Sequence, residues 1–172
     1  MRIDVLGICS SDVVGWRALE NRLSPLWMGH VHYWCIDRPL GALRQLGALG
    51  VRSFDTPVEL LAAFATTLDG SALYLSMDKD VMSPDVVRTN WDQGRFGAAD
   101  LAAAIGLLAP QLVGSDVVGD VSAYRYRSRL KRFLSGLDGQ TIPPADQLAG
   151  WQQGQQNLNC RILSWLNGAG SR

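Results

Sequence analysis

Leu73-Tyr74-Leu75-Ser76-Met77-Asp78-Lys79-Asp80-Val81-Met82-Ser83-Pro84 is the stretch from which the architecture of this chain can be read. It opens as a short apolar run with alternation, the pattern of an inner β-strand. It closes on two carboxylates spaced i, i+2 and then a proline. In an extended backbone Asp78 and Asp80 project to one side and Lys79 to the other. Two acids converging just past a buried strand repel each other and lose hydration, so a cation has to compensate, and a hard divalent ion suits oxygen donors. A solvated turn or a cap following the strand is the other reading of the pair.

Outward from this strand, apolar runs alternate with helical patterns in both directions. Towards the N-terminus, residues 2–8, 30–36 and 51–54 read as strands, and residues 13–23 and 40–49 as helices. Thr56-Pro57-Val58-Glu59 predicts a helix start, with a threonine cap, a proline in the first turn and a glutamate completing a capping box; that helix is expected to reach about residue 67. Beyond Pro84, residues 85–94 form a polar loop too long for a tight connection. A helix over 96–108, a strand over 111–118, a basic loop with a short helix over 122–138 and a final helix over 145–166 follow. Such alternation predicts an α/β fold with a mostly parallel sheet covered on both faces, where ligands sit beyond the carboxyl ends of the strands. Asp78, Asp80 and Asp120 all fall at such ends.

Ser76-Met77-Asp78-Lys79-Asp80-Val81-Met82-Ser83-Pro84 resembles the S-x-D-x-D-x-x-D-P signature of the ureohydrolase family (arginase, agmatinase, formimidoylglutamase), with Ser83 in place of the third aspartate. Val113-Gly114-Ser115-Asp116-Val117-Val118-Gly119-Asp120 resembles the family's V-G-x-D-V-V-E strand, with Gly119 in place of the glutamate and an acid one position later. The resemblance implies a three-layer α/β/α, arginase-like fold, present in part and spanning residues 1–172 as a single domain that corresponds to the family's C-terminal portion. It further implies a manganese-dependent hydrolase of C–N bonds in small cationic guanidino or amidine compounds. Two manganese ions about 3.5–4 Å apart activate water for attack on the guanidinium carbon. Carried onto this sequence, Asp78 is the bridging ligand and Asp80 the terminal one. Asp120 resembles the substrate-facing acid, although one position off; capping a loop is its other reading. Asp116 reads as structural. Trp91 and Asp92, in Asn90-Trp91-Asp92-Gln93-Gly94, occupy the place of the family's substrate loop, where Asp92 could meet a cationic substrate; a tryptophan packed on its own domain is the other reading.

The family's D-x-H-x-D motif does not occur in these residues. His30 and His32 form an H-x-H pair that could ligate metal, but the family's histidine ligands stand much further upstream of the aspartate pair. The expectation is therefore of a centre that is catalytically incomplete in this chain alone. Its missing donors would lie in a separate N-terminal half, with Met1 as an internal start, or in a homo-oligomeric partner. The alternatives are a non-catalytic arginase-like interaction or ligand-binding module, and another D-x-D metal-dependent transferase; the latter would need an upstream acid or a glycine-rich nucleotide loop.

Composition narrows the classes further. With 172 residues, 47% hydrophobic and 19% charged, the chain can bury a core. Its formal net charge is zero and its basic residues are dispersed, so nucleic acid is not an expected partner. No apolar run approaches the roughly 18 residues of a membrane span, and no membrane partner is expected. Residues 125–132, with four arginines and a lysine, read as a solvated face, with a phosphate site as the other reading. Cys9, Cys35 and Cys160 lack disulfide or zinc spacing and read as buried thiols of a cytoplasmic protein.

Overall fold

A computed structural model describes residues 2–8, 30–36, 50–137 and 140–169. The expected helices over 13–23 and 40–49, and Cys9, lie outside the described residues. Two compact units divide the chain, residues 1–69 and 70–172. The architecture is mixed α/β, with short parallel sheets and helices.

The first unit carries β1 (Ile3–Ile8), β2 (Val31–Ile36) and β3 (Val51–Phe54), paired in parallel in that order, and then α1 (Pro57–Ala65). β2 is the central strand and, as expected of a strand covered on both sides, is nearly continuous in apolar residues. One of its faces buries Val31, Tyr33 and Cys35 together with Val51, with Val5 and Ile8 packed against them. On the other, the Trp34 ring meets Phe64 of α1 edge-on at 5.1 Å, while its indole N–H donates to Asp4 at 3.0 Å. That bond satisfies the one polar group a buried tryptophan brings with it. α1 starts as its sequence predicts: the extended Thr56 accepts from the Glu59 N–H at 3.2 Å, and Pro57 stands in the first turn.

The second unit carries β4 (Leu73–Asp78), α2 (Ala98–Leu108), β5 (Leu112–Val118), α3 (Arg129–Leu137) and α4 (Ala145–Ala169). β4 and β5 pair in parallel, with Ser76 opposite Asp116 and Asp78 opposite Val118. The core joins Leu101, Ala104, Ile105 and Leu108 of α2 to Leu158 and Ile162 of α4, with Met77, Met82 and Phe96 also buried. The expected single sheet is thus replaced, among the described residues, by two sheets of three and two strands. Cys35 is buried as expected, whereas Cys160 is exposed on α4. No helix among the described residues is long and apolar enough to cross a membrane.

Candidate metal centre at the end of β4

The backbone ceases to be extended at Asp78. Residues Lys79–Val81 form one turn of 3₁₀-helix, which Asp78 caps by accepting from the Asp80 N–H at 3.1 Å. An aspartate that bonds to the backbone two residues on turns the chain, so strand alternation stops one residue before Asp80. The two acids nevertheless act on each other. The Asp80 carboxyl is held above the ordinary carboxylate range chiefly by burial and also by the charge of Asp78, while a bond from the Thr89 hydroxyl opposes the rise. Oδ1 of Asp80 is buried and has no hydrogen-bonding partner.

Lys79 is enclosed, with 2% of its side chain accessible, and its ammonium pairs with Asp120, whose side chain is 69% accessible. Asp120 follows β5 directly, so the pair ties the carboxyl ends of β4 and β5 together. Between them Gly119 adopts φ +85°, and a Cβ there would lie 2.5 Å from Oδ1 of Asp78 and 2.9 Å from the Lys79 nitrogen. The position that carries glutamate in the resembled motif has no room here for any side chain, because Asp78 fills it.

The loop after the turn is closed on itself. Gly94 N–H donates to the Asp80 carbonyl at 2.7 Å, Phe96 N–H to the Val81 carbonyl at 3.1 Å, and Ser83 N–H to the Phe96 carbonyl at 2.9 Å. A Cβ on Gly94 would stand 2.4 Å from the Val81 carbonyl oxygen. Asn90 is buried and fully used. Its amide donates to the Ser122 carbonyl at 3.0 Å and the Thr141 carbonyl at 2.6 Å, and its oxygen accepts from the Ser122 N–H at 2.7 Å. Gln93 similarly donates to the Val87 carbonyl at 2.7 Å. From α4, the buried Gln155 donates to the carbonyls of Arg88 at 2.8 Å and Gly119 at 3.4 Å.

Asp78, Asp80 and Asp120 therefore gather at one end of the β4–β5 sheet. Trp91 is half-buried and Asp92 exposed within the loop that Asn90 and Gln155 fasten to that end. Asp116 lies further back on the open face of the sheet, where it accepts from Tyr74 at 3.0 Å and Ser76 at 2.7 Å; this is the structural role its position suggests. His30, exposed, and His32, half-buried on β2, belong to the first unit. The sequence reading passed over Lys79, Thr89, Asn90 and Gln155. Lysine and glutamine ordinarily read as surface, and nothing local marks these as buried.

Two carboxylate donors, one with an orphaned buried oxygen, are suited to a hard divalent cation. They do not make a full ligand set: no group of three or more histidine, cysteine or acidic side chains able to hold a metal occurs among the described residues. No family model, curated protein or solved structure matches this chain.

Proposed function

We propose that this chain supplies the D-x-D portion of a ureohydrolase-like, manganese-dependent hydrolase acting on small guanidino or amidine compounds, within a partial three-layer, arginase-like fold. The observation that carries the proposal is the buried, unpartnered Oδ1 of Asp80 beside the carboxylate of Asp78, at the end of a parallel strand. A bound cation would satisfy that oxygen and offset the repulsion between the two acids. Asp78 and Asp80 would hold the metal, and the remaining donors would come from a second polypeptide segment or a second copy of this chain. When bound, such ions activate water for hydrolysis of a C–N bond.

The protein's own groups prepare the site. The Asp80 N–H fixes one oxygen of Asp78, and Gly119 leaves room for Asp78. Asp120 shares its charge with Lys79 and keeps an exposed carboxylate, through which it would meet a cationic substrate with Asp92 and Trp91 on the facing loop.

The test is hydrolysis of a panel of guanidino and amide compounds, with manganese content measured in parallel, for the chain with and without a segment bearing D-x-H-x-D. The expected result is metal-dependent hydrolysis of one panel member by the completed protein, lost in Asp78→Asn. Unchanged metal content and activity in that variant would sink the reading. A non-catalytic arginase-like module is the second reading, favoured by the internal satisfaction of Asp120 by Lys79. It predicts no manganese uptake under either condition.

A further inference from the structure

The segment between β5 and α4 has a chemistry that the carboxylate centre does not use. Residues 121–142 contain four arginines and one lysine against a single acid, Asp138. Within α3, Leu130, Phe133 and Leu134 recur at i, i+3, i+4, the spacing of one helical stripe, and they are 66%, 63% and 47% accessible. Charged Arg129, Lys131 and Arg132 alternate with them. Just before the helix, Tyr124 and Tyr126 stack edge-to-face at 5.4 Å, with Tyr124 also exposed. A helix that turns both its apolar stripe and its cations outward gains nothing from its own core.

Beside that stripe lies a cavity of about 190 Å³ lined by Arg125, Tyr126, Arg132, Ser135, Gln140 and Ile142. The Gln140 N–H closes its wall by donating to the Ser135 carbonyl at 2.9 Å. Neither Arg125 nor Arg132 is paired with a carboxylate among the described residues. Two guanidinium groups, a phenol, a hydroxyl and an amide around one hollow form a donor set for a phosphate oxyanion.

We propose that residues 124–136, with Gln140 and Ile142, form a docking surface for anionic phospholipid, with the Arg125–Arg132 hollow taking a headgroup phosphate and Leu130, Phe133 and Leu134 entering the acyl boundary. Charge complementarity requires an anionic occupant, and the exposed apolar stripe selects among anionic occupants. A nucleic-acid backbone would satisfy the arginines but leave three large apolar side chains in water, whereas a lipid interface takes both halves of the helix. This takes up the phosphate-site reading of residues 125–132 over that of a solvated face, and it is independent of the proposed hydrolase activity.

Co-sedimentation of the full chain with phosphatidylcholine vesicles, with and without roughly a third phosphatidylserine, tests it. Sedimentation with the anionic vesicles only is expected. The double variant Arg125→Gln/Arg132→Gln should lower partitioning by about 30-fold, at roughly fivefold per cation. Phe133→Ser, and separately Leu130→Ser, should lower it by about tenfold with an unchanged far-UV circular dichroism spectrum. No sedimentation with anionic vesicles would overturn the proposal. So would full retention of binding by both serine variants together with displacement by inorganic phosphate or polyglutamate, which would assign the hollow to a soluble anion or an acidic protein.

Discussion

Gly119 shows how closely single residues constrain the site. Its φ of +85° lies in the left-handed region, and the space its Cβ would need is taken by Asp78. Gly119→Ala should therefore cost about 1–2 kcal/mol for the backbone alone, and should displace Asp78 as well. A lowered urea midpoint with an unchanged slope would register the first effect. Tyr74 offers a second test at this scale. The bond it donates to Asp116, with smaller contributions from desolvation and from the charge of Asp116, raises its phenol above the ordinary tyrosine range. The native state thus holds a proton that the unfolded chain has already released. The contribution to stability is complete below the ordinary tyrosine range and is lost as pH rises through the raised native value. Alkaline titration of tyrosinate absorbance, with Tyr74→Phe isolating this one of four tyrosines, should show the upward displacement vanish in Asp116→Asn. Legibility at this scale followed locality. The spacing of Asp78 and Asp80 and the strand position of Asp116 are local features that can be seen in the sequence. The burial of Lys79 cannot, because its partner Asp120 is 41 residues away.

The elements were far more readable than their junctions. β1 to β5 all stand where apolar alternation put them, and α1 begins at its capping threonine. Periodicity and capping are short-range signals that tertiary context here leaves alone. What alternation missed is the 3₁₀ turn at Lys79–Val81, where the Asp78 side chain captures the Asp80 N–H and overrides strand geometry. At this scale the Lys79–Asp120 pair is the fastening between the ends of β4 and β5. Asp120→Asn leaves a buried ammonium with a weaker partner and should destabilise the chain by about 1.5–3 kcal/mol. Lys79→Met should make the second change nearly neutral, since the charge that needed compensation is gone. A double-mutant cycle by chemical denaturation checks this; additive losses would mean that the pair does not join the two ends.

For the molecule as a whole, the α/β class and the parallel strand direction were legible, while the grouping of strands into two sheets was not. Which strand pairs with which is a long-range choice that no window of sequence encodes. The gathering of Asp78, Asp80 and Asp120 at one sheet end followed from parallel topology alone, since every strand of such a sheet delivers its carboxyl end to the same rim. The fastening of the 85–94 loop to that rim by Asn90 and Gln155 did not, because it depends on partners as distant in sequence as Thr141 and Gln155. The central claim is that Asp78 and Asp80 are cation ligands. Its most direct test is a manganese titration of the full chain followed by electron paramagnetic resonance. The account predicts saturable loss of the free-ion signal once a segment bearing D-x-H-x-D completes the wild-type chain, and none when it completes Asp80→Asn at equal folded fraction. A free-ion signal that tracks added manganese identically in both proteins would contradict it.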